Sequence, residues 1–356
     1  MKPFGPWWFG VIGAGVCALG AAGFAWWSLA SPRVWAGSTE PPAAGPATEV
    51  AGGGVTEYLV FGAPEKLALL DGSMRESSGL AASRTKPGWL WTHGDSGVGP
   101  WLMRFDPWHG RPERWTVRGV SHADWEDMAS FVLNDRPYLL VADVGDNTRN
   151  RDSVALHVLP EPIDVSTPPG SDLASRAPGP APVLTPALTL YVTYEDGPRD
   201  CEAVAVDPAS RTVWLVSKEI NGRGQMFGRS GLYAVRLPEP ADWGTVGIEA
   251  VGSAEQPLVL ERLATLDTVM PTAMDLTPDG RTMLVGTYGE GLLFERDRSA
   301  DPDWVYAIAA GPRRVSLPPR RQGEGLCFAV NGDAVFLSSE HPEQPVWRLA
   351  VRRGGQ

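Results

Sequence analysis

Six acidic residues stand at matching places along this chain: Glu76, Asp124, Glu126, Asp200, Glu202 and Glu324. They belong to a phrase that returns five times without gaps: ESSGLAAS (76–83), DWEDMASF (124–131), DCEAVAVD (200–207), MPTAMDLT (270–277) and QGEGLCFA (322–329). The opening column reads Glu76, Asp124, Asp200, Met270, Gln322, and two positions on it reads Ser78, Glu126, Glu202, Thr272, Glu324. Side chains at i and i+2 share one face of a regular strand, so the two columns are expected to point the same way in each unit. A further set follows at a steady offset: Asp95, Asp143 and Glu219 lie 19 residues after the openings of their units, Glu340 lies 18 after and Glu290 lies 20 after.

Carboxylates that converge repel one another, and several must take up protons unless something compensates them. A hard divalent cation with oxygen ligands, calcium above all, is one remedy. Pairing with His122, Arg199, Lys218, Arg320 or Arg321, each beside an acidic position, is another. The competing reading makes each carboxylate a cap on the backbone N–H groups of the neighbouring unit. A second acidic locus, DVGDNTRNR (143–151), offers Asp143, Asp146 and Asn147 on a tight loop with Arg149 and Arg151 behind them. It fits a cation, an anionic ligand, or a plain β-turn.

These residues need a scaffold that repeats. Each phrase is followed by further short runs rich in β-branched and aromatic residues and separated by Gly, Pro, Asp or Asn, while helical periodicity is almost absent after residue 55. Units of about four strands, starting 48, 76, 70 and 52 residues apart, predict an all-β fold, a five-bladed β-propeller. The last unit runs out of chain before its fourth strand, and EYLVFG (57–62) supplies a spare, so the ring is expected to close through this N-terminal strand. A six-bladed ring hidden in the long units is the competing count. The Pro-rich stretch 161–186 reads as an insertion without a packed core, and 238–257 reads similarly. First strands lie innermost in such a ring, so their starts surround the mouth of a central channel.

The chain has 356 residues, 43% hydrophobic, and a formal net charge of −11 with no basic stripe, which argues against nucleic acid as a partner. Residues 7–30 carry no charge and are long enough for a hydrophobic helix that spans a bilayer, with Trp7, Trp8, Trp26 and Trp27 at its ends. Segment 1–36 therefore reads as a membrane anchor or a signal peptide, 37–54 as a Gly/Pro/Ala-rich linker, and 55–356 as the propeller domain. Either N-terminal reading places the propeller outside the cytoplasm: tethered to the cell membrane by a single pass, or secreted or periplasmic if the segment is cleaved.

Other signals are set aside. GDSGVGP (94–100) looks like a serine-protease nucleophile segment, but no matching His motif precedes it and the repeat makes it a turn. Cys201 and Cys327 are expected to be buried free thiols, and Trp89, Trp91, Trp214 and Trp347 to pack between blades.

The repeated E-x-S/E-G-L-A phrase, with LW-x-x-x-D/E beyond it, resembles the bacterial SdiA-regulated family of extracytoplasmic five-bladed propellers, and is similar in style to propellers named for an esterase-like activity of phytase. The match spans roughly 56–351; DWEDMASF departs from it with Asp127 in place of Gly, and MPTAMDLT with Thr272 in the Glu column. The resemblance implies a cation near the channel on Glu126, Glu202 and Glu324, with Glu76, Asp124 and Asp200 around them, and an off-centre site because the fourth unit lacks its acids. Around it Asp95, Asp143, Asp146, Lys218, Glu219, Glu340, Arg199 and Arg320 are expected to support the mouth. Three functions follow as expectations: binding of calcium and of a small-molecule or protein ligand, a calcium-dependent phosphoesterase-type hydrolase, and a protein-interaction scaffold using the insertions.

Overall fold

Alternation of buried side chains to both faces is what turns each unit into a sheet with two neighbours. In the computed structural model, which describes residues 57–355 apart from 71–75, 96, 98, 111, 164–180, 220–228, 240–242, 244–248, 269 and 297–303, five such sheets stand in a ring. The first holds β2 (Gly79–Ala82), β3 (Leu90–His93), β4 (Trp101–Phe105) and β5 (Pro112–Val117). The second holds β6 (Trp125–Leu133), β7 (Arg136–Asp143), β8 (Val154–Pro160) and β10 (Leu188–Tyr194). The third runs β11 (Asp200–Asp207), β12 (Thr212–Lys218), β13 (Ser230–Arg236), β16 (Ala264–Leu266), and the fourth β17 (Ala273–Leu276), β18 (Thr282–Gly286), β19 (Glu290–Glu295), β20 (Arg313–Ser316). The fifth comprises β21 (Leu326–Phe328), β22 (Ala334–Leu337), β23 (Pro345–Gly354) and, as its outermost strand, β1 (Tyr58–Leu69). β1 runs antiparallel to β23, with Tyr58 opposite Gly354 and Lys66 opposite Trp347.

The repeated phrase becomes the innermost strand each time, and β2, β6, β11, β17 and β21 touch in cyclic order. Five buried apolar clusters lie between successive blades. Period two decides who faces whom: on β7, Tyr138, Leu140 and Ala142 face the third blade while Leu139 and Val141 face the first. Trp91 and Trp214 sit in these clusters, as expected, and Cys201 and Cys327 are free and buried.

Two expectations change. The insertions are not wholly free of packing. The tail of 161–186 forms β9 (Val183–Leu184) parallel to β5, and the head carries buried Glu161, which accepts from the Trp91 indole at 2.8 Å and Ser83 Oγ at 2.6 Å. Within 238–257, Trp243 is buried against Tyr138, and β14 (Glu249–Val251) pairs with β10; β15 (Leu258–Leu260) extends that pairing. One short helix also appears, α1 (Trp304–Ala310), burying Trp304, Ala307 and Ile308 against the fourth blade. Its 304/307/308 spacing is helical, but seven residues are too few for the period to stand out in sequence. Segments 1–36 and 37–54, with the hydrophobic helix expected at 7–30, lie outside the described residues. Among the described residues no helix is long and apolar enough to cross a membrane.

Candidate metal centre

The acidic phrase starts gather at one end of the ring, but by a different local geometry from the regular strand assumed above. In β6 the register slips between Trp125 and Asp127, and in β11 between Cys201 and Ala203. Glu126 and Glu202 are thus each the extra residue of a β-bulge, and a bulge re-aims its side chain and bends the strand. In the fifth blade Gln322 O accepts from Glu340 N–H and Gly325 O from Ser338 N–H, which leaves Gly323 and Glu324 opposite Ser339 alone. The i, i+2 argument therefore fails at these glutamates: the bulge, not the pleat, aims them.

The result is a cluster of Glu126, Asp200 and Glu202, each offering one carboxylate oxygen within 4.8 Å of the other two, with all three side chains buried. Lys218 Nζ forms an ion pair with Glu202 and stands 3.7 Å from Asp200 Oδ2. Asp200 Oδ1 also accepts from Asp146 N–H at 2.9 Å, so it caps the neighbouring blade as well. Glu126 has no hydrogen-bond donor among the described residues. Gly145 makes its position possible: a Cβ there would overlap the carboxylates of Glu126 and Asp124.

The remaining acids extend the cluster into a circuit. Burial, then Glu202 and Asp124, hold the Glu126 carboxyl well above its usual range. Burial, then Glu202 and Glu340, do the same to Glu324, whose Oε1 accepts from Tyr288 Oη at 3.4 Å. Glu340 is pushed up to about 7 by burial, Asp95 and Glu76, and Asp124 to about 6 by burial, Asp200 and Asp95. Glu202 rises to about 7: burial dominates, and Lys218 offsets it only in part. Each carboxylate feels the next around the mouth, while burial, which would lower the Lys218 ammonium, is outweighed by Glu202, Asp200 and Glu126, which hold it well above its usual range.

Other predicted residues are placed at the mouth but serve the scaffold. Glu76 bridges Glu340 across the first and fifth blades, and Gln322 Nε2 donates to Glu340 Oε2 at 2.7 Å. Burial alone would raise Asp143, but Arg151 at 2.9 Å, Ser121 Oγ at 2.6 Å and Asp124 N–H bring its carboxyl below the usual range. Asp146 accepts from the N–H groups of Asn150 and Arg151, so the 143–151 loop is a self-satisfied turn. Glu219 takes Arg149 at 3.1 Å and Arg199 at 3.5 Å, and Arg199 is shared with Asp196. Arg320 is not turned towards a ligand. Its guanidinium donates to Ser338 O at 3.0 Å and Thr287 O at 3.2 Å, and burial lowers it to about 10. Arg199 reaches the mouth acid Glu219, one of the pairings offered above, whereas Arg320 is spent on backbone carbonyls.

Sequence reasoning undervalued Asp127. This carboxylate, fully buried on the first strand of the second blade, accepts from Met128 N–H at 2.8 Å, Val204 N–H at 2.8 Å and Met274 N–H at 3.1 Å. It fastens the second, third and fourth blades at the axis. Its place in a column otherwise held by Gly or Ala was the available signal. Asp275 repeats the device between the fourth and fifth blades, accepting from Phe328 N–H at 2.8 Å.

The donor set suits a hard cation. It is all carboxylate oxygen, with Cys201 turned to backbone carbonyls and no histidine in the group, and its members are unstable as bare neighbours. Calcium fits such ligands at Glu126, Asp200 and Glu202, with Lys218 on one flank.

No family model matches the sequence and no curated protein matches it, so the likeness to the SdiA-regulated family rests on the repeated phrase alone. Solved structures do match. A gluconolactonase from Xanthomonas campestris is 10% identical, covers 74% of this chain and 69% of its own, and superposes with a TM-score of 0.37. A calcium structure of a Trichoderma reesei carbohydrate-active enzyme of family AA12 is 15% identical, covers 76% and 80%, and gives 0.43. A luciferin-regenerating enzyme is 10% identical, covers 81% and 95%, and gives 0.37.

Proposed function

We propose that this protein is a membrane-tethered, extracytoplasmic propeller that holds one calcium ion at Glu126, Asp200 and Glu202 and presents it to a ligand entering the acidic mouth. One observation carries this reading: three buried carboxylates meet within 4.8 Å, and one of them, Glu126, has no hydrogen-bond donor among the described residues and shares the Lys218 charge with Glu202 and Asp200. We read the β1–β23 pairing as the clasp that closes the ring around this site. The tether is the uncharged stretch 7–30. Binding is favoured over phosphoester hydrolysis because the guanidinium groups that would cradle a phosphate, Arg199 and Arg320, are engaged by Asp196, Glu219 and backbone carbonyls. A scaffold role for the insertions is weakened by the packing of Trp243 and β14 on the second blade.

Calorimetric titration of the full-length protein with calcium tests the proposal. One site is expected, lost in Glu126→Gln and Glu202→Gln, with thermal stabilisation near 2.7 kcal/mol at about 100 times the dissociation constant. No heat of binding and no calcium-dependent shift in melting temperature would refute it.

A further inference from the structure

A cavity of about 490 Å3 opens between the first and fifth blades. It lies on the face opposite the acidic mouth: β2 and β21 start beside the mouth acids, and the cavity is lined by residues at their far ends, Ala82 and Ala329. Its size falls within the roughly 300–1,000 Å3 of small-molecule sites.

Aromatic walls are held in place before any ligand arrives. Trp89 carries the Lys86 ammonium 3.3 Å from its ring centroid, and Lys86 is itself fixed by Glu113 at 2.6 Å. Trp108 receives an N-terminal turn bond, its N–H donating to Asp106 Oδ1 at 2.9 Å, and meets Phe336 edge-to-face at 6.0 Å. Trp108 nevertheless stays 47% exposed, which packing alone does not require of so large an apolar ring.

The polar lining is planar and mixed in sign. Arg348 faces Glu65 at 3.5 Å, and Asn331 Nδ2 donates to Asp333 Oδ2 at 2.9 Å. Each pair leaves donors and acceptors unspent, since a guanidinium has five N–H groups and a carboxylate about four lone-pair positions. A phosphate or carboxylate ligand would meet Glu65 and Asp333; a cation would meet Arg348. A neutral ligand with an apolar C–H face and a rim of hydroxyls suits both the rings and the polar edge.

We infer that this cavity is a binding site for a neutral saccharide, stacked on Trp89 and Trp108 and hydrogen-bonded by Asp333, Asn331 and Arg348. The site is separate from the acidic mouth and does not depend on calcium there.

Full-length protein is titrated with glucose, N-acetylglucosamine, maltose and cellobiose, with choline and 1-naphthol as cationic and apolar comparison probes. Tryptophan fluorescence and saturation-transfer NMR are read with calcium and with EDTA. At least one saccharide is expected to bind saturably and equally in both conditions, with Trp108→Ala and Asp333→Ala each weakening it about tenfold. Trp108 is half exposed, so its variant is expected to keep the wild-type melting temperature. No saturable response to any saccharide, binding of the choline or naphthol probe alone, or unchanged affinity in Trp108→Ala overturns the inference. Loss of saccharide binding in EDTA alone would instead tie the site to the mouth and overturn its independence.

Discussion

Replacing Asp127 tests whether one carboxylate fastens three blades. Its Oδ2 serves two N–H groups, Val204 and Met274, and its Oδ1 serves Met128. In Asp127→Asn the amide turns its oxygen to the two donors on neighbouring blades and its NH2 towards Met128 N–H, which strands one buried donor at a loss of about 1–3 kcal/mol. Asp127→Ala strands all three. The raw loss is roughly 3–9 kcal/mol. The carboxylate's own desolvation, which holds its carboxyl well above the usual range, is recovered, and this places the net loss in the lower half of that range, about 3–6 kcal/mol. That is a large part of the roughly 5–15 kcal/mol a domain commonly has. Equilibrium urea unfolding, with the slope checked for constancy, reads both variants. The expected order is wild type, then Asn, then Ala, with at least about 2 kcal/mol between the last two. Equal stability of the two variants, or a loss under about 1 kcal/mol in Ala, would refute the reasoning, because water would then replace the carboxylate without penalty.

Three further outcomes follow from the mouth and the ring. Glu202 is raised from 4.5 to about 7, so between those values the folded state binds more protons than the unfolded one, and metal-free stability is full below pH 4.5 and falls by about 3 kcal/mol as pH rises through 7. His93 and His157, lowered to about 4 by burial, oppose this trend, so the melting temperature from pH 4.5 to 8 is read against that of Glu202→Gln: the wild type should decline relative to the variant, calcium should flatten that difference, and no relative decline would contradict it. Gly145→Ala should displace Glu126 and Asp124 and weaken calcium binding about tenfold in calorimetry, since its Cβ overlaps both carboxylates. Deleting residues 57–69 exposes the edge of β23, and size-exclusion chromatography should show self-association.

Much of the ring was legible in sequence because the phrase repeats with its strands in a fixed order, and period-two burial on strands such as β7 then sorts side chains to the two neighbouring blades. Glu126, Asp200 and Glu202 were legible as mouth acids for the same reason, but their grouping was not: Asp200 stands with Glu126 and Glu202 where Glu324 was expected. The bulges were not: a register slip leaves no residue signature, so the i, i+2 rule pointed to the right residues by the wrong route. The fate of Arg320 was also hidden, because a cation's partner is fixed by which carbonyls and carboxylates the fold brings to it. The cavity joins Trp89 and Trp108 to Asn331 and Asp333, more than 200 residues apart, so no local pattern marks it.

The carboxylates sort themselves by what surrounds them, and this separates scaffold from site. Asp143, Asp127 and Asp275 each accept two or more hydrogen bonds, at least one from a backbone N–H, and each joins strands or blades. Glu126 and Glu324 are as buried, but Glu126 has no donor among the described residues, and Glu324 has a long contact from Tyr288 and a hydrogen bond with Glu340, another carboxyl raised by burial. Five apolar clusters hold the blades together without them. A fold secured elsewhere tolerates a few kcal/mol of repulsion at its mouth. The same repulsion is what a cation relieves on binding, so the residues the scaffold leaves unsatisfied are the ones from which the site gains affinity.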